Sequence, residues 1–231
     1  PVTATVLNPQ GQPQGGALLT LKNPPSSDPK FSTFTDANGV GTIQSPAGPQ
    51  ILVASIGSAF RTEIPVTVQP NPSGTNAGTI TLTQNTSVRV LVVKASAEQL
   101  ETVLRIIGFS SFDSTTIGAM RDSANADSTR LLNFLQQYRI VFSDCHGGSE
   151  GSSSYALLSR VYGRYVQGGG KMYGGHYNYY HLQRIWPPFY TTFDNQGSPS
   201  TDSLQIVDQQ LSSFVGFSVA SWATSLDSRR L

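Results

Sequence analysis

The three histidines of this chain (His146, His176 and His181) and its one cysteine, Cys145, all fall between Asp144 and His181. Three chemistries suit such a set. A thiol becomes a nucleophile when a base lies within hydrogen-bond reach. Cys145 and His146 are neighbours and point opposite ways on extended backbone, so His176 is the better partner and Cys145 with His176 forms the candidate catalytic pair. The competing reading is a buried cysteine that packs as a small hydrophobe. A metal is the second chemistry: Asp144, His146, His176 and His181 offer the carboxylate and imidazole groups that zinc accepts with a position left for water. Their spacing matches no zinc signature, and His176 and His181 are not on one helical face. Here the competing reading is histidines hydrogen-bonded in loops and packed on nearby tyrosines. Recognition is the third: Tyr177, Tyr179, Tyr180 and Trp186, with Asp144, His146 and His181, would make a stacking wall for a sugar or peptide. The alternative is a lid over the sheet formed by Trp186-Pro187-Pro188-Phe189-Tyr190. No cofactor motif is present, and none is expected.

The elements that would position these residues have two different periods. Up to residue 84 the chain reads as about seven short strands separated by turn chemistry, the pattern of a sandwich. Val2–Leu7 alternates, Asn8-Pro9-Gln10-Gly11 turns, and Asp36-Ala37-Asn38-Gly39 is a tight turn with glycine where φ > 0 is needed. From Val88 the period changes. Val88–Val93 is a near-continuous apolar run, broken only by Arg89, as in a strand buried on both faces. Ser96 and Gln99 read as a capping box, Leu100, Val103, Leu104 and Ile107 repeat at helical spacing, and Gly108 ends the helix. A second helix is expected over 126–137, a strand over 139–143, a helix from Tyr155 to Tyr165 and a strand over 171–174. Alternation of strand and helix implies a parallel sheet. Both reactive clusters then leave the carboxyl ends of strands, where open α/β sheets bind ligands.

Composition narrows the classes. Of 231 residues only 13% are charged and the formal net charge is +1, which leaves no electrostatic footprint for nucleic acid. No apolar stretch approaches the roughly 18–20 residues that span a bilayer. One cysteine excludes an internal disulfide. Low charge with abundant Gly, Pro, Ser and Thr suggests an exported, extracellular or cell-surface protein. The start at Pro1 suggests a processed chain or a fragment.

Residues 1–84, in the order strand, Asn-Pro-Gln-Gly-Gln-Pro, strand, Thr-Asp-Ala-Asn-Gly, strand, Pro-Ala-Gly-Pro, strand, resemble carboxypeptidase regulatory-like domains. Those are small transthyretin-like or immunoglobulin-like sandwiches that serve as spacers. Residues 88–231, joined through 85–87, resemble the class I glutamine amidotransferase-like superfamily, a flavodoxin-like fold. The resemblance rests on Val90-Leu91-Val92-Val93, Tyr138–Cys145 and Tyr165–Gly174, with a tail of Leu211-Ser212-Ser213-Phe214-Val215-Gly216 and then Trp222. It is strongest to bacterial surface proteins that join two such domains. In that superfamily the nucleophile lies on a Gly-x-Cys-x-Gly elbow after a later strand, with a histidine downstream. Here the elbow reads Gly174-Gly175-His176 and no histidine follows His181, which speaks against glutaminase chemistry. The resemblance also implies a further strand or two after Trp222, so truncation at the C-terminus is expected.

The fold expected is thus two-domain: an N-terminal antiparallel β-sandwich and a C-terminal flavodoxin-like parallel sheet with helices on both faces. The leading function is a non-catalytic secreted or surface protein, the sandwich a spacer and the α/β domain a binding or assembly module. Its partners would be other protein subunits, surface glycans or further copies of itself, without nucleic acid. The alternatives are a hydrolase using Cys145 with His176 or a histidine-bound metal, and a carbohydrate or peptide binder using the Tyr/Trp loop.

Overall fold

A computed structural model describes residues 1–70, 73–96, 99–145, 151–175, 178–185, 201–205 and 219–223. The chain has mixed α/β content and divides into two compact units that change over between Asn85 and Thr86.

The first unit holds β1 (Val2–Leu7), β2 (Leu18–Leu21), β3 (Ser32–Phe34), β4 (Val40–Ile43), β5 (Gly48–Ile56), β6 (Phe60–Val68) and β7 (Thr75–Thr81). They form two sheets, β3-β2-β5-β6 and β4-β1-β7. The first is antiparallel throughout. In the second, β1 pairs antiparallel with β4 but parallel with β7, which corrects the expectation of an all-antiparallel arrangement. β1 and β7 are the first and last strands within residues 1–85. No hairpin sets their direction, and the intervening strands supply the long connection that a parallel pair needs. Burial alternates strictly along β1, with Val2, Ala4 and Val6 inward, as a half-buried strand requires.

The Asp36–Gly39 turn is as expected. Asp36 Oδ1 accepts from the Asn38 and Val40 amides at 2.9 and 2.8 Å. Gly39 has φ +73°, and a Cβ there would strike the Val6 carbonyl. Two local amides and the turn geometry account for this carboxylate without a cation.

The second unit holds β8 (Val90–Lys94), α1 (Leu100–Ile106), β9 (Asp113–Thr116), α2 (Ile117–Ala126), α3 (Ser128–Leu135), β10 (Ile140–Ser143), α4 (Ala156–Gln167), β11 (Lys171–Gly174) and α5 (Tyr179–Ile185). The sheet order is β9-β8-β10-β11 and every pair is parallel. β8 is central, and Val90 to Val93 are buried on both faces. Leu91, Val93 and Val141 share one core with Met120, Leu135, Leu158 and Tyr162.

Four elements depart from the sequence expectation: β9 and α2 were not expected, and the helix placed at 126–137 is α3, eight residues long, capped by Asp127 onto the Thr129 and Arg130 amides. The fourth is α5, which puts Tyr179, Tyr180 and His181 on a helix rather than a loop. Two further strands, β12 (Thr201–Gln205) and β13 (Val219–Ala223), pair antiparallel with Trp222 opposite Asp202. That hairpin is grouped with the first unit.

The entry end of the parallel sheet is pinned by Tyr165. Its hydroxyl donates to the carbonyls of Tyr138 (3.0 Å) and Lys171 (3.3 Å), which bracket β10 and β11, and burial pushes its pKa up to about 12. The ring lies against Gly170, where a Cβ would collide with three ring carbons. Gly170→Ala should therefore destabilise the fold by about 2 kcal/mol, as overpacking does. In a Tyr165→Ala background the same change should cost under ~0.5 kcal/mol, because the two positions are coupled only by the clash. Urea denaturation of the four variants measures both values.

Candidate functional site

In the parallel sheet the chain leaves β8 for β9 on one side, and β10 joins β8 on the other. The order therefore reverses between β8 and β10. At such a switch point the loops part and leave a crevice at the carboxyl ends of the strands, the usual place for a ligand. Asp144 follows β10 directly, so the sequence located this position well.

What occupies the position is the protein itself. The Asp144 amide donates to the Val93 carbonyl at 2.9 Å and so extends the β10–β8 ladder by a residue. Its carboxylate then reaches across the crevice: Oδ2 accepts from the Ala95 amide at 3.2 Å and Oδ1 from the Leu100 amide at 3.1 Å. Leu100 is the first residue of α1, and the cap residue Gln99 offers that helix no side-chain hydrogen bond. The capping box expected from Ser96 and Gln99 is thus replaced by a carboxylate 44 residues away in sequence. A short helix has orphan amides at its start, and an acidic group there is favoured by both hydrogen bonding and the helix dipole. Asp144 is fully buried, so these partners are what make its charge tolerable.

Cys145 comes next and is 1% exposed. The turn after β11 is tied to the same place. Asn178 Nδ2 donates to the carbonyls of Ser143 and Asp144, each at 3.1 Å, and the Gly175 amide donates to Ser143 O at 2.9 Å. Gly174 lets this happen, since a Cβ on it would approach the Asn178 Cβ to 2.7 Å. From sequence, Asn178 is expected beside the aromatic recognition loop rather than as a tie to β10; the Gly174-Gly175 pair just before it was the available signal of a close backbone approach.

His181 is 1% exposed on α5. Its ring meets Tyr162 edge-on at 5.1 Å and lies 6.2 Å from Tyr155. Ser159 Oγ donates to the Tyr155 carbonyl at 3.0 Å and stands 2.8 Å from His181 Nδ1. Ser159 has one hydroxyl proton, so Nδ1 carries the imidazole proton and Nε2 is left as an acceptor. Nε2 is buried and has no hydrogen-bond partner among the described residues. Burial foremost, and the Arg184 charge second, push the His181 pKa down to about 3. It is a core histidine behind two tyrosines, which corrects its expected place in a loop pocket.

The sequence candidates are therefore partly dispersed. Asp144 is engaged by backbone amides, Cys145 is buried, and His181 lies on the α4–α5 contact. Tyr180 is half-buried, with its ring over Gly151. Tyr179 lies on α5. His146, His176, Tyr177 and Trp186 lie outside the described residues. Among the described residues, no three His, Cys, Asp or Glu side chains gather as a metal would require. Neither a protein-family model nor a curated protein matches the chain.

Two outcomes are expected. Asp144→Asn turns an amide NH₂ toward backbone donors and removes charge-assisted bonds, for a loss of about 3 kcal/mol in urea denaturation; a change under ~0.5 kcal/mol would refute the capping role. For His181, the unfolded chain takes up a proton below about pH 6.5, while the folded chain does so only near pH 3. The unfolded state thus binds more protons in this window, and stability falls as pH is lowered through it, by up to about 1.4 kcal/mol per unit from this group. His181→Phe should flatten the slope of unfolding free energy against pH by that amount between pH 6 and 4.5.

Proposed function

We propose that the chain is a non-catalytic secreted or cell-surface structural protein. Its N-terminal unit is a spacer of carboxypeptidase regulatory-like type, a β-sandwich. Its second unit is a flavodoxin-like, amidotransferase-like domain that serves as a binding or assembly module. The observation that carries this reading is the Asp144 carboxylate, spent on the Ala95 and Leu100 amides at the point where an enzyme of this topology would hold its ligand. The strand order β9-β8-β10-β11 supports the flavodoxin-like assignment, because it follows the doubly wound order 2-1-3-4. The low charge content supports export.

Assembly is favoured by what the second unit leaves outside. Val103 and Ile106 of α1 and its C-cap Ile107 are 49, 66 and 43% exposed, and Tyr173, on the edge strand β11, is 54% exposed. Clusters of exposed apolar side chains mark interaction surfaces.

The hydrolase alternative makes an opposite prediction for Cys145. In the native chain, iodoacetamide should modify Cys145 no faster than global unfolding exposes it, and urea should release full reactivity. Rapid stoichiometric alkylation of the native protein would overturn the non-catalytic reading. Sedimentation velocity over a concentration series tests assembly: growing oligomers are expected, and a strict monomer throughout would remove the self-assembly role.

A further inference from the structure

The outward side of α4 carries a second, differently built feature. A groove of about 360 Å³ runs along it, lined by Arg160, Val161, Arg164 and Gln167 of α4, Ser128 of α3 and Arg184 of α5. Its volume is within the range of small-molecule sites. Three guanidinium groups line it, and among the described residues no carboxylate does. Arg160 and Arg164 are exposed, stand one turn apart, and belong to none of the ion pairs among the described residues. Like charges at that spacing oppose the helix.

Arg184 is different, because it is built in. Its Nη2 donates to the carbonyls of Gly151 (2.6 Å) and Ser152 (2.8 Å), and Nη1 approaches Ser159 Oγ at 3.4 Å. This fixes a cation beside the two exposed forks. Gly163 eases the approach: a Cβ there would come within 2.9 Å of Ile185 Cγ2, so a larger residue would have to push the Ile185 side chain aside. The nearest acidic residue in sequence on the α3 side is Asp127, whose carboxylate is turned into its own helix cap.

We infer that this groove binds a small phosphorylated ligand, with the phosphate monoester dianion taken by Arg160 and Arg164 next to the fixed charge of Arg184. A planar guanidinium presents paired donors that match phosphate oxygens. Two free forks beside a third cation suit a dianion; a single carboxylate would leave most of the charge uncompensated. Ser128 and Gln167 offer hydrogen bonds to the body of the ligand. The site lies apart from the Asp144 crevice and does not depend on the assembly reading.

The test uses the full chain in low-salt, phosphate-free buffer, titrated by calorimetry with glycerol 3-phosphate, inorganic pyrophosphate and acetate. Saturable binding of both phosphates is expected, with Kd at or below about 1 mM and acetate at least tenfold weaker. The Arg160→Gln/Arg164→Gln double variant, with an unchanged circular dichroism spectrum, should weaken phosphate binding at least about tenfold. Lys171→Gln, which alters an exposed cation outside the groove, should leave it unchanged. Absence of saturable binding overturns the inference. So does equal loss in the Lys171 variant, which would signify attraction to surface charge alone, or full binding in the double arginine variant.

Discussion

The second unit depends on one carboxylate. Asp144 is buried without exposure, and a carboxylate in that position is tolerable only when its oxygens are met by donors. The donors are backbone amides on two different segments, Ala95 where the chain leaves β8 and Leu100 where α1 begins. The Asp144 amide itself belongs to the β10–β8 ladder. A single residue therefore fixes the end of one strand, the exit of its neighbour and the start of the helix between them. Removing the charge weakens two of these constraints, the exit of β8 and the start of α1, and leaves the backbone ladder bond; α1 is exposed to the loss because it is seven residues long and has no side-chain cap of its own. Isolated helices of that length do not hold themselves together in water.

The other polar groups at this end extend the same scheme. Asn178 joins the turn after β11 to the carbonyls of Ser143 and Asp144. Ser159 accepts a hydrogen bond from His181 Nδ1–H and donates its own to Tyr155 O, while Arg184 holds the segment that leads into α4. At the opposite end of the sheet, Tyr165 does for β10 and β11 what Asp144 does for β8 and β10. Arg89 lies over the Tyr138 ring there and shares Asp113 with the Tyr138 hydroxyl, and these two partners lower the Asp113 pKa. Both ends of the sheet are thus closed by side chains that reach between strands distant in sequence.

Legibility in the sequence followed the range of the interaction. Strands of the first unit could be read where alternate residues are buried, as in Val2-Thr3-Ala4-Thr5-Val6-Leu7, and from the turn chemistry between them. β8 could be read because it is apolar on both faces. β9 could not: Asp113-Ser114-Thr115-Thr116 is a largely exposed edge strand and carries no apolar signal. α2 is weakly amphipathic and includes Gly118, so its three inward residues, Ile117, Met120 and Ala124, do not stand out. α5 begins with Tyr179 and Tyr180, which read as a recognition loop because aromatic residues suit either role. The position of the candidate site was legible, since it follows from strand alternation alone. Its occupancy was not, because no local pattern tells Asp144 that its partners are 44 and 49 residues away.

That occupancy constrains any ligand that would enter at the switch point. An incoming anion has the same donors to use as Asp144, the Ala95 and Leu100 amides, and must displace a carboxylate held there intramolecularly. Tethering gives that carboxylate an effective concentration that free ligands in solution do not match. The displaced group would then be a buried charge stripped of its partners, the costly half of any broken buried pair. A cation meets the opposite obstacle, since both described carboxylate partners are N–H donors and would face it with their positive ends. Opening the crevice thus means loosening the start of α1, which couples binding there to partial unfolding. The arginine row of α4 and the exposed apolar side chains beside α1 and on β11, by contrast, can be engaged without breaking the carboxylate's bonds.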